Sequence, residues 1–180
     1  DANCDAQNYF VVAELVEGIP LRDLMNKRRD QGKGFSLREI RPVLQQIASF
    51  FRDSGVAEHG ALSPENIWIR PNGLRIHDVG WAKNLPAAAV GYRLSSRGNA
   101  RAYVAPELLA GAGPTPRSDV YSLGVLVCEM FLRKPLAGGP EAFAAVQDDL
   151  PPDLGALLGC ALAAHPEARY ANVLDFESAM

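Results

Sequence analysis

The stretch from Ser118 to Phe131 constrains the fold more than any other part of this chain. Val120, Tyr121, Leu123, Val125, Leu126, Val127, Met130 and Phe131 recur at helical spacing and leave no polar face. A helix that is apolar all round has to be wrapped by other elements. No segment reaches the roughly 18 uninterrupted apolar residues of a membrane span, so the wrap is protein. Ser118 is read as the cap of this helix. The 180 residues, 48% hydrophobic and 22% charged, suffice for one domain with a real core around it.

The surrounding elements follow from pattern and punctuation. Tyr9 to Glu14 reads as a short strand, followed by a turn at Gly18 and Pro20, and Leu21 to about Arg29 reads as a helix broken by Gly32 and Gly34. Ser36 and Glu39 make a capping box ahead of Ile40, Val43, Leu44, Ile47, Phe50 and Phe51, an amphipathic helix. Pro42 inside it requires a later start or a bend. Two short apolar runs, 66–70 and 74–77, flank Pro71-Asn72-Gly73 and read as a hairpin. Residues 81–104 form a long irregular loop of the kind that usually serves a function. Further helices are expected near 140–149, 153–164 and 172–179. The fold class is mainly α with a small β-hairpin element.

Charge and cysteine usage exclude several functions. A net charge of -3 and a pI near 5.6 give no electrostatic reason to expect nucleic acid or an anionic membrane as partner. Cys4, Cys128 and Cys160 lack metal-ligand spacing and read as buried thiols of a reducing compartment, which places the chain in the cytoplasm. His77 and His165 stand apart from other ligand types and read as structural or exposed. The Ala- and Arg-rich composition points to a bacterial source.

The order of motifs resembles the large, C-terminal lobe of a eukaryotic-type protein kinase. His59-Gly60-Ala61-Leu62-Ser63-Pro64-Glu65-Asn66 is similar to the catalytic loop, whose family pattern is His-Arg-Asp-Leu-Lys-Pro-x-Asn. Asp78-Val79-Gly80 resembles the metal-binding Asp-Phe-Gly motif, and Ala105-Pro106-Glu107 the Ala-Pro-Glu motif that closes the activation segment. Asp119-Val-Tyr-Ser-Leu-Gly124 resembles the start of the buried central helix, and Arg169 fits the arginine that pairs with the glutamate of Ala-Pro-Glu. The His-Gly start is also similar to small-molecule phosphotransferases of the aminoglycoside type, but those lack the Ala-Pro-Glu segment and the central-helix motif.

The resemblance implies a degenerate site. Where the family carries its proton-accepting Asp this chain has Ala61, and where it carries the phosphate-steadying Lys it has Ser63. Loss of a positioned general base alone costs about 10²–10⁴ in rate, and the lost cation acts on the same transition state. Gly60 replaces the arginine that clamps an activation-loop phosphate. Tyr92, Ser95 and Ser96 read as ordinary loop hydroxyls. Asn66 and Asp78 stand where the family holds magnesium and ATP, either as a vestigial nucleotide site or as local hydrogen-bonding residues. Trp68, at the position under the adenine ring, is expected to fill the adenine space and to close an apolar column with Leu21, Leu126 and Met130. His59, Glu107, Asp119 and Arg169 are expected to serve the fold.

Residues 1–20 correspond to the last small-lobe strand and a hinge-like segment, and 21–180 to the C-lobe. The small lobe, with its glycine-rich loop, lysine and glutamate, is expected to be absent from this chain, which begins at Asp1 and reads as a piece of a longer protein. The expected function is that of a pseudokinase, a protein-binding scaffold or allosteric regulator without cofactor. The alternative is a part of a larger Ser/Thr-kinase-like protein that retains weak ATP and magnesium binding or an atypical transfer activity. Exposed cleft residues call for a cover, supplied by a neighbouring domain, a protein partner or a second copy in a homodimer.

Overall fold

Strands are few and short. A computed structural model describes residues 2–4, 9–11, 15, 17–80, 98–136 and 139–180. β1 (Ala2–Cys4) pairs antiparallel with β2 (Tyr9–Val11). The run expected as a strand to Glu14 is described only as far as Val11. β3 (Ile19–Pro20), read from sequence as a turn, is instead the edge strand of a second sheet. It leads directly into α1 (Leu21–Asp30), whose Arg22 amide donates to the Pro64 carbonyl at 3.1 Å.

α2 (Leu37–Ser54) begins at the capping box, where Glu39 accepts from the Ser36 amide at 2.9 Å. Pro42 lies inside the helix without delaying its start, so the Arg38 carbonyl loses only one intrahelical donor. Ile40, Leu44, Ile47, Ala48 and Phe51 form its buried stripe. β4 (Ile67–Arg70) and β5 (Gly73–Ile76) make the hairpin, with Arg70 opposite Gly73 across a two-residue Pro71-Asn72 turn. β3 joins it through Pro20 opposite Trp68 and Ile19 opposite Ile69, giving the order β3-β4-β5.

Residues 81–97 of the expected loop, with Trp81, Tyr92, Ser95 and Ser96, lie outside the described residues. After them Gly98–Tyr103 is a 3₁₀ turn, followed by α3 (Pro106–Leu109). The central helix, α4 (Pro116–Leu132), starts earlier than the sequence suggested. Thr115, not Ser118, is the cap, because Pro116 suits the first helical position and Ser118 supplies the returning hydroxyl of a capping box. Every residue from Ser118 to Met130 is buried. α5 (Gly139–Ala144), α6 (Pro152–Ala161) and α7 (Val173–Ala179) complete the wrap, with short 3₁₀ turns at Gln147–Asp149 and Pro166–Ala168.

Packing explains the one glycine inside α4. A methyl group at Gly124 would come within 3.0–3.2 Å of Leu162 and Ala161, so α6 lies against the bare backbone there. Cys128 is buried, as expected, but Cys160 is partly exposed on α6, a correction to its reading as a core thiol. No helix among the described residues is long and apolar enough to cross a membrane. The architecture is mainly helical with a small antiparallel sheet, and its core is the sleeve around α4.

Candidate functional site

The loop 58–66 runs across the buried N-terminal half of α4, and Asp119 holds it there. One carboxylate oxygen accepts from the His59 amide at 2.6 Å and the other from the Gly60 amide at 3.0 Å. Burial pushes this carboxyl up to about 7, with Glu58 adding to the effect, although the two amide donors favour the charged form. Gly60 sits at φ +80°, a region costly for any side chain, so a glycine suits this backbone. His59 is fully committed. Its Nδ1 accepts from the Ala61 amide at 3.2 Å and its Nε2 donates to the His77 carbonyl at 2.9 Å, the arrangement of a neutral imidazole. Burial holds its pKa below the ordinary histidine value.

A small crevice opens beside this loop, lined by residues 60–63 with Tyr103, Val104, Leu108 and Ser122. The Ala61 methyl stands at the position expected to carry the proton acceptor. Among the described lining residues Tyr103 is the only ionisable one; burial pushes it well above the ordinary phenol range, and its hydroxyl donates to Glu129. A group so placed is no base near neutral pH. Among the described residues the crevice therefore presents neither a carboxylate nor a free imidazole.

Asn66 is spent on the same loop. Its Nδ2 donates to the Ala61 carbonyl at 2.8 Å and its Oδ1 accepts from the Ser63 amide at 3.0 Å, with 4% of the residue exposed. Asp78 is less buried and lies 3.4 Å from His77 Nδ1, at φ +63°. For a non-glycine residue that backbone costs about 1–2 kcal/mol, a strain of the kind that persists at functional positions. Magnesium asks for an octahedron of oxygens. Much of it is supplied by water and substrate phosphates at such sites; the candidate protein oxygens are those of Asp78 and Asn66 Oδ1, which accepts one hydrogen bond and keeps a second lone pair, and among the described residues no three His, Cys, Asp or Glu side chains converge. Trp68 meets the His77 ring edge-on at 5.7 Å, and its indole N–H is buried without an acceptor. Leu21, Leu126 and Met130 are buried in the core.

Sequence reasoning passed over Arg22. From the first turn of α1 it donates to Glu65 at 2.9 Å, to Glu129 at 2.7 Å and to the Tyr103 hydroxyl at 3.0 Å. One guanidinium thus ties α1, the loop, the segment before α3, and α4. The signal was present: an acid in the apolar stretch 125–131, Glu129, requires a buried partner. A second tie closes the far side. Arg169 grips both oxygens of Glu107 at 2.8 Å and also donates to the carbonyls of Ala163, Ala164 and Arg117. Burial alone would raise the Glu107 pKa, but the Arg169 hydrogen bonds hold it below the carboxylate range.

Comparison with known proteins places this geometry. A family model described as "Protein kinase domain" matches residues 1–152. The serine/threonine-protein kinase PknL of Mycobacterium tuberculosis is 33% identical over 97% of this chain and 47% of its own length. PknA of the same species is 32% identical over 99% of this chain and 43% of its own. The chain thus spans a little under half the length of these relatives. The crystal structure of the M. tuberculosis PknI kinase domain superposes with a TM-score of 0.67 at 23% identity, covering 92% of this chain and 62% of that one, a likeness of fold.

Proposed function

The chain belongs to the protein kinase domain family, and from that premise we propose that it is a pseudokinase module that binds a protein partner or a neighbouring domain and does not transfer phosphate. One observation carries the reading: among the described residues the crevice beside the loop 58–66 keeps its wall and presents no proton acceptor, with Ala61 and Ser63 at the two positions where the family holds Asp and Lys. The hydrogen bonds of Asp119, His59 and Asn66 spend those side chains on the loop itself. Such a loop keeps the cost of a built site without the base and the cation that act on the transferring phosphate.

A specific observation favours a second reading, retained nucleotide binding. Asp78 stays in a strained left-handed backbone at the family's metal-binding position. Asn66 Oδ1 accepts from the Ser63 amide and keeps a second lone pair, so it is compatible with that reading.

The test is transfer of labelled phosphate from ATP with magnesium to a generic protein substrate, measured for this chain and for the longest protein that contains it. The expected result is no transfer above the protein-free background in either. Transfer that Asp78→Ala abolishes would sink the proposal. Calorimetry with ATP and magnesium on the same samples decides the second reading, which requires saturable binding that weakens in Asp78→Ala.

A further inference from the structure

Charge is sorted along this chain rather than mixed. Residues 27–39 and 133–134 carry seven of its 18 lysines and arginines but only two of its 21 acids, Asp30 and Glu39. The fold joins the two segments into one corner. The Phe35 amide donates to the Met130 carbonyl at 2.9 Å, and Arg133 Nη1 donates to the Gly32 carbonyl at 2.5 Å. Glu39 neutralises Arg28 at 2.6 Å, and Asp30 lies 4.0 Å from Arg29. Lys27, Lys33, Arg38, Arg133 and Lys134 are exposed, and among the described residues none has a carboxylate within 4.0 Å. Helix dipoles account for the cations at the C-terminal ends of α1 and α4. They work against Arg38, which stands in the first turn of α2.

The opposite charge is gathered elsewhere. Residues 135–168 contain no lysine or arginine and five acids, Glu141, Asp148, Asp149, Asp153 and Glu167. All five are exposed, and among the described residues none has a cation within 4.0 Å. Gln147 packs on α6 at Gly155, 3.4 Å from where a methyl group would sit, which brings Asp148 and Asp149 to the end of α6 that carries Asp153. The large exposed hydrophobics among the described residues, Leu15, Ile19 and Leu109, belong to neither face. Both faces therefore recognise by charge and not by apolar burial.

We infer that the basic corner docks the acidic stretch 141–153 of a second copy of this chain. Each copy carries both halves of the contact, unpaired within the chain and present at equal concentration. The rest of the chain is net acidic, which disfavours nucleic acid or an anionic membrane at the same corner. The contact is heterologous, so association continues past a dimer unless a ring closes. Exposed charges attract within a Debye length, about 10 Å at 0.1 M salt and about 30 Å at 0.01 M, so the contact tightens as salt falls. It uses none of the crevice residues and is independent of whether the crevice transfers phosphate.

The test is sedimentation velocity of the chain over a concentration series, in about 20 mM and in about 300 mM sodium chloride. Average mass should grow with concentration at low salt, and the apparent dissociation constant should rise at least about tenfold at high salt. Lys33→Glu with Arg38→Glu, and separately Asp148→Lys with Asp149→Lys, should each leave a monomer. Mixed together, the two double variants should associate again, because the reversed corner of one meets the reversed stretch of the other. All four positions are exposed, so melting temperatures close to that of the unsubstituted protein separate lost contact from lost fold. A monomer at low salt, association indifferent to salt, association that survives either reversal, or a mixture that stays monomeric would each overturn the inference.

Discussion

Arg22 on α1 and Glu129 on α4 meet at 2.7 Å although 107 positions separate them in the chain. Glu129 is 4% exposed and sits in the apolar C-terminal half of α4, so the guanidinium is what makes its burial tolerable.

Arg22→Ala strands two carboxylates, Glu65 and Glu129, and should lower unfolding free energy by about 3–5 kcal/mol. The double variant Arg22→Leu with Glu129→Leu should recover part of that loss, because it removes the most buried carboxylate although Glu65 stays without its guanidinium. Urea denaturation of the single and double variants measures the difference. A double variant as unstable as Arg22→Ala would mean that the helices need the polar network and not merely its neutrality.

Arg169 is the second buried clasp, with five hydrogen bonds to one carboxylate and three carbonyls. Arg169→Ala should cost about 3–5 kcal/mol and leave the chain largely unfolded. Arg169→Lys should rescue only in part, since an ammonium cannot match the planar fork. Far-UV circular dichroism and thermal melts read both, and a stable, fully helical Arg169→Ala protein would show that the pair does not hold the fold.

Two buried groups oppose each other in pH dependence. The folded pKa of Asp119 is raised by burial, from 3.8 to about 7. The native state then keeps a proton that the unfolded chain releases, and stability from this group falls as pH rises from about 4 to about 7. His59 is held below 6.5 by burial. Below that pH the unfolded chain takes up a proton the native state resists, so stability from this group falls as pH drops. Asp119→Asn removes the first effect and leaves the second. Its stability should therefore rise more steeply with pH, between about pH 5 and 6.5, than that of the unsubstituted protein. Denaturant titrations at both pH values check this, and identical slopes would contradict the Asp119 assignment.

Trp68 reports on the nucleotide question. Its ring packs against His77 and its N–H is buried without an acceptor; the expectation that it fills the adenine space requires that it be indifferent to ATP. In a Trp81→Phe background, emission should not change on adding ATP and magnesium. A saturable change would argue for the nucleotide-binding reading instead.

Local chemistry was legible from residue order. The Ser36–Glu39 box, the Pro71-Asn72-Gly73 turn and the apolar girdle of α4 each rest on contacts within a few residues, and each appears where its pattern stands. Boundaries that depend on the balance of neighbouring signals were less legible. Ser118 looked like a cap because serine favours that place, but Thr115 followed by Pro116 outcompetes it. Ile19-Pro20 looked like a turn, and only pairing with β4 makes it a strand.

The sequence by itself determined the family and the central helix, and it put an alanine, Ala61, in the third place of the His59-Gly60-Ala61 stretch, because these are matters of which residues stand in which order. Only the tertiary structure decided what the remaining polar groups are for. That Asn66 is spent on Ala61 and Ser63, that His59 is a neutral bridge between Ala61 and His77, and that Arg22 serves Glu65, Glu129 and Tyr103 at once are facts of distance. A buried polar atom takes whichever partner the packing brings within reach, and packing joins residues that no local pattern connects.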